Sequence, residues 1–241
     1  MSTGRPAKRR NTNGAPVMSA GSDMLDTSDF ERIDAELRAY DEKREQVIKR
    51  SRDIQKLSKQ AIFSLHRGAS TEAESRISAA KKAAEELLPL IRGNPTLRPG
   101  SYSNAIEEYA EAVAFRCYLT DGRLIRQAEV ELAEVEEYLG GVLDFTGELG
   151  RLAIAQATRR DEAAVQRARD LVEAIMGQFL QASLTCNGSL RKKYDALKYT
   201  LKKLENTLYE LSLTKAGLPT KPEDIPEPDA GAGGADGGDD A

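Results

Sequence analysis

Between Leu190 and Leu211 apolar residues return at alternating steps of four and three: Leu190, Tyr194, Leu197, Leu201, Leu204, Leu208 and Leu211. A heptad seam of that length commits the segment to a helix that buries one stripe against other helices. The same stepping runs through an earlier segment. There Ile33, Leu37, Tyr40, Val47, Ile54 and Leu65 fall near it, and Arg44, Ser51 and Ser58 fill the remaining steps. Two more stripes lie between: Ala73, Ile77, Ala80, Ala84, Leu87 and Ile91, then Val165, Ala168, Val172, Ile175, Phe179 and Ala182. Nothing alternates apolar and polar residues over a useful length, so no strand is expected. Ala, Leu, Glu, Lys and Arg dominate the composition and favour long helices.

Punctuation divides these stripes. Ser28 or Asp29 caps the first helix, which runs to about Arg67 and stops at Gly68. Ser70 or Thr71 opens the second, and Pro89 kinks or ends it. The third runs from about Ser103 to Leu119, with Asp121-Gly122 as its stop. Helical character resumes from Arg123 to Glu136 with solvent-facing glutamates, and a fourth main helix runs from about Val135 to Ala157. Gly140, Gly141, Gly147 and Gly150 lie inside it, which implies close approach of another helix or a ligand. Asp161 opens a fifth helix to about Leu184, Thr185 to Gly188 is a turn, and Ser189 caps the sixth. The expected fold is all-α, an antiparallel bundle of about six to seven helices over residues 28–216. Residues 1–27 read as a disordered basic leader, and 217–241 as a disordered acidic Gly/Asp-rich tail.

Several classes are excluded. No apolar run approaches the roughly 20 residues that span a bilayer, so no membrane partner is expected. The N-terminal residues lack the apolar core of a secretory signal. Cys117 and Cys186 form no CxxC, which suits a reducing compartment with both as structural residues. Lys8-Arg9-Arg10 reads either as a short nuclear-localisation signal or as part of a solvated leader. The expected localisation is cytoplasmic and nuclear.

Two acidic stretches carry the chemistry. Glu108 and Glu111 are three apart in the third helix, and Asp144 and Glu148 are four apart in the fourth. Each spacing stacks like charges on one helix face, where they repel. Among apolar neighbours such pairs need a compensating partner. Two such helices side by side would gather four carboxylates, and Mg²⁺ suits that donor set because it takes carboxylate oxygens, water and substrate phosphate. The alternative is an ordinary solvated face. The first helix presents Arg50, Arg52, Lys56 and Lys59, a candidate surface for tracking a nucleic-acid backbone or a solvated, interface-pairing one.

These stretches also carry a resemblance. Ser51-Arg52-Asp53-Ile54 through Ile62-Phe63-Ser64-Leu65-His66-Arg67, Glu107-Glu108-Tyr109-Ala110-Glu111-Ala112-Val113 and Tyr138-Leu139-Gly140-Gly141-Val142 with Asp144-Phe145-Thr146-Gly147-Glu148-Leu149 resemble the X-type branch of the translin family. Ser189-Leu190-Arg191-Lys192-Lys193-Tyr194-Asp195-Ala196-Leu197-Lys198-Tyr199 is closer to the translin branch. The resemblance implies subunits that assemble into a closed, roughly octameric shell binding single-stranded RNA or DNA. It implies a Mg²⁺-dependent endoribonuclease site with Glu108, Glu111 and Asp144 as catalytic and metal-holding residues and Glu148 as the nearby fourth ligand. The partner is then a translin-type subunit, further copies of this chain, or both. His66, the only histidine, reads as a helix-end residue with no partner in the acidic helices.

Three alternatives stand beside that reading. A scaffold subunit would bind nucleic acid without cleaving it. A ferritin-like di-iron bundle would need Glu-x-x-His motifs, and the acidic helices contain no His. A structural coiled coil would fit the last helix but not the Gly-rich fourth.

Overall fold

Asp26 turns the chain into its first helix. The Asp26 carboxylate accepts hydrogen bonds from the backbone N–H of Ser28 (3.0 Å) and of Asp29 (3.3 Å), so the cap is Asp26 and not Ser28 or Asp29. A computed structural model describes residues 25–182 and 188–218. Its helices are α1 Thr27–His66, α2 Ser70–Gly93, α3 Ser103–Asp121, α4 Val135–Thr158, α5 Glu162–Gln181 and α6 Gly188–Lys215. The described residues hold no strand, as the sequence leads one to expect. The leader, the tail, Lys8-Arg9-Arg10 and Cys186 lie outside the described residues, apart from the few residues flanking the domain.

The chain divides into two units, 1–44 and 45–241. In the first, α1 carries Phe30, Ile33 and Leu37 exposed to solvent. The expected core-facing stripe is therefore not buried over this stretch. Periodicity lays out an apolar stripe, but something must cover it, and no described residue of this unit does.

In the second unit the stepping is buried in full: Val47, Ser51, Ile54, Ser58, Ala61 and Leu65 all face inward. α3 and α4 form the centre. They pack closely on each other, α2 lies against α3, and α5 and α6 lie against α4 and each other. α3 is buried around most of its circumference, from Ala105 to Cys117. Phe115 and Phe145 fill the space between the central pair, with ring centroids 6.5 Å apart. The predicted α6 seam is buried at Leu190, Tyr194, Leu197, Leu201 and Leu204.

Three local expectations are corrected or narrowed. Of the two readings of Pro89, a kink or an end, the end is removed: Pro89 lies inside α2, which continues to Gly93. The stretch before α4 is not helical apart from one turn at Gln127–Glu129. There Glu129 accepts from the Arg126 backbone (2.9 Å) and from Arg123 (2.8 Å), while Ile125, Val130, Leu132 and Ala133 are buried. Those side-chain bonds and that apolar strip fix a loop whose composition alone favours helix. The last helix opens at Gly188, one residue before the expected cap. Asp161 does cap α5, accepting from Ala164 N–H at 2.9 Å.

Among the described residues no helix is long and apolar enough to cross a membrane.

Candidate functional site

The glycines of α4 decide how close α3 can come. A Cβ at position 141 would lie 2.8 Å from the Ala110 Cβ, 2.8 Å from the Glu107 carbonyl oxygen and 2.9 Å from the Glu111 nitrogen. Two of those neighbours are backbone, which cannot swing aside. Gly141 thus lets the two helix backbones touch at the level of the acidic residues. Gly150 makes room for a side chain instead: a Cβ there would lie 2.9 Å from the Thr200 Cγ2 of α6. Gly147, by contrast, faces open space. We expect Gly141→Ala to destabilise the protein by about 1–3 kcal/mol through forced separation of α3 and α4. Gly147→Ala should be neutral or stabilising by up to ~1 kcal/mol. Urea denaturation of the two variants checks both; equal effects would remove close approach as the reason for Gly141.

With the helices so close, the two acidic stretches meet. Glu111 is buried, 7 % exposed, and its charged neighbours are mostly carboxylates. Burial, then the charges of Asp144, Glu108 and Glu148, push its pKa up to about 9, against a smaller opposing pull from Lys59. Glu108 stands one turn earlier on α3. Its Oε1 lies 3.5 Å from the Lys59 ammonium, and its Oε2 is buried without a partner. Its pKa is raised by burial, with Lys59 opposing. Burial and Glu108 also raise Asp144, while Lys59 pulls it down. All four predicted carboxylates share one electrostatic neighbourhood.

The chain's own cations are there too. Lys193 of α6 bonds both Asp144 of α4 and Glu107 of α3. Glu148 is taken up by His66 Nε2 and by Arg151 at 3.2 Å, and the His66 ring lies 4.6 Å from that of Phe115. His66 therefore does have a partner in the acidic helices, against expectation. α1 brings it there by ending over the centre, which spacing alone does not reveal. Among the described residues no three His, Cys, Asp or Glu side chains form a ready-made cation cage. Protein cations hold part of each pair instead.

Of the basic residues singled out, Lys59 reaches this centre. Arg52 and Lys56 precede it on the same exposed face, at helical spacings of seven and three. Arg50 points elsewhere and pairs with Glu86 of α2. Glu107 and Lys193 are the site members that spacing missed. Glu107 sits beside Glu108 but reaches a different neighbour, and Lys193 is 49 residues beyond Asp144.

The Translin family model matches residues 42–215. Translin-associated protein X of Mus musculus is 26 % identical over 230 residues, covering 79 % of each chain. Translin of Gallus gallus is 40 % identical over 80 residues, which is 33 % of this chain and 34 % of that protein. The chain therefore matches about a third of the chicken protein's length. Among solved structures, apo-NeC3PO superposes with a TM-score of 0.69 at 22 % identity, covering 76 % of this chain and 96 % of that one. The AfC3PO–duplex RNA complex gives 0.70 at 22 % identity, covering 78 % and 98 %. Those two likenesses carry the fold, and the family match over residues 42–215 carries the membership: the chain belongs to the translin family.

Proposed function

We propose that this chain is a nucleic-acid-binding subunit of a translin-type assembly, and that its carboxylate centre cleaves single-stranded RNA with Mg²⁺. The observation that carries the reading is the pair Glu108 and Glu111: Glu108 Oε2 is buried without a partner, and Glu111 beside it is 7 % exposed and held by no protein cation among the described residues. Such groups are expensive in a fold unless a ligand satisfies them. The donor set is all oxygen, which suits Mg²⁺. Glu108, Glu111 and Asp144 are the residues that would hold the ion. Glu148, held by His66 and Arg151, serves better to shape the rim than as a fourth ligand. When bound, the ion supplies charge neutralisation at the scissile phosphate and a lowered pKa for the attacking water.

The protein's own groups do the rest. Arg52, Lys56 and Lys59 line one face of α1 and lead to Glu108, a row fit to hold successive phosphates. The tight α3–α4 seam at Gly141 fixes the distance between the two acidic helices. AfC3PO, a structural neighbour, is known in complex with duplex RNA, which supports a nucleic-acid ligand. The family supports assembly with a translin-type subunit, with further copies of this chain, or with both, in a closed octamer.

A second reading, a scaffold subunit without catalysis, is favoured by one observation: Lys193 occupies Asp144. Cleavage of a labelled single-stranded RNA separates the two. The purified chain is assayed alone and with a translin partner, in Mg²⁺ and in EDTA, beside Asp144→Asn. Mg²⁺-dependent cleavage lost in the variant is the expected result. Binding without cleavage in every lane would establish the scaffold.

A further inference from the structure

Three helices converge on one ammonium. Lys193 lies in the second turn of α6, and its Nζ bonds carboxylates of both α3 and α4, those of Glu107 and Asp144. Space for this is cut into the fold. A Cβ at position 140 would stand 2.5–2.7 Å from the carboxylate atoms of Glu107, so Gly140 lets Glu107 lie across α4. Lys193 is largely withdrawn from water, with 28 % of its side chain exposed. Desolvation lowers its pKa to about 8.

A lysine in that position is a cation in a place built for cations. Without it, Glu107, Glu108, Glu111, Asp144 and Glu148 would crowd the α3–α4 seam with His66, Lys59 and Arg151 as the remaining partners. Of the three residues assigned to Mg²⁺, Glu108 keeps a buried unpartnered oxygen, and Asp144 is the one Lys193 holds. An ammonium and a divalent ion on the same Asp144 oxygens repel each other, and a flexible four-carbon stem lets the ammonium leave.

Resting on the metal-site reading above, we propose that Lys193 is the internal counter-cation of the carboxylate centre: it holds Asp144 and Glu107 while no divalent ion is bound, and it yields Asp144 when one enters. Lys193 is thus a positioning residue that sets the affinity of the site for metal. It offsets part of the seam's negative charge in the free protein and makes metal entry a replacement of one cation by another.

Mn²⁺ binding by the full-length chain tests this, read by electron paramagnetic resonance without any activity assay. Wild type, Lys193→Gln, Lys193→Arg and Asp144→Asn are compared, with circular dichroism to confirm helicity. Lys193→Gln should bind Mn²⁺ about tenfold more tightly, since one competing charge is gone. Lys193→Arg keeps the charge and should stay near wild type. Asp144→Asn should lose binding. Unchanged or weaker binding by Lys193→Gln, with wild type binding and Asp144→Asn not, overturns the role of Lys193 and leaves the metal site standing. Absence of Mn²⁺ binding in every protein overturns both. A measurement on wild type alone guards against a variant that fails to fold. Acylation of Lys193, followed by mass spectrometry, should quicken on adding Mn²⁺; an unchanged rate overturns the proposal.

Discussion

Replacing Glu111 by glutamine is expected to lower Mg²⁺-dependent RNA cleavage by on the order of 10³-fold and, in the same protein, to raise metal-free stability. The two effects share one cause. Glu111 is buried on α3, held by no protein cation among the described residues, and its pKa is pushed to about 9 by burial and by Asp144, Glu108 and Glu148. A carboxyl so placed resists ionisation, and an ionised one is a liability until a cation satisfies it. Glutamine keeps the volume and removes the charge. Stabilisation should reach about 1–3 kcal/mol near neutral pH, at roughly 2–4 °C of melting temperature per kcal/mol. Because the folded pKa lies above the unfolded one, the contribution of Glu111 is fully present below the unfolded pKa and is lost as pH rises toward about 9. The advantage of glutamine therefore grows over that window. Calorimetry across pH, in EDTA, reads the stability; the labelled-RNA assay reads the activity. A variant that melts lower than wild type, or that cleaves at the wild-type rate, sinks the assignment.

What the sequence makes legible follows from what is local. The α6 stepping depends only on spacing along one helix, and Leu190 through Leu204 are buried as that spacing demands. The acidic pairs are legible for the same reason, since residues three or four apart on a helix share a face whatever lies around them. Ile33 and Leu37 mark the limit. They continue a register that is buried from Val47 onward, yet they are exposed, because a stripe does not specify its cover. The partners of the carboxylates are harder still. Lys193, His66 and Lys59 come from two other helices, and the distance of each along the chain hides the pairing. The Glu-rich stretch 123–136 reads as helix because its glutamates are good helix formers. Its real shape is set by Glu129 bonding the Arg126 backbone and by burial of Val130 and Leu132. Tertiary bonding there overrides propensity.

Arg98→Ala is expected to cost about 3–5 kcal/mol of stability, the cost typical of leaving one member of a buried ion pair alone. Arg98 lies in the turn Arg98–Tyr102, where Gly100 adopts a positive φ of 90°. That turn delivers the guanidinium under the start of α4. It grips Glu137 with both arms, Nε to Oε1 at 3.0 Å and Nη2 to Oε2 at 2.6 Å, and donates to the Leu132 carbonyl at 3.0 Å. Glu137 is 3 % exposed and also accepts from the Glu134 N–H at 2.8 Å, which closes the capping box of α4. Removing Arg98 leaves that carboxylate buried with one backbone donor. Replacing both members by apolar residues, Arg98→Met with Glu137→Leu, should recover most of the loss, since desolvation of the pair offsets much of its attraction. A urea series on the two single variants and the double gives the coupling directly. A loss under about 1 kcal/mol in Arg98→Ala would mean that Glu137 finds another partner or water. The consequence reaches the carboxylate centre, because Glu137 precedes Asp144 by seven residues, two turns along the same face of α4. Slackening the helix start slackens the seam at Gly140 and Gly141. Cleavage by Arg98→Ala should therefore fall as the folded fraction falls and return with the double variant, whereas Glu111→Gln should stay inactive however well it folds.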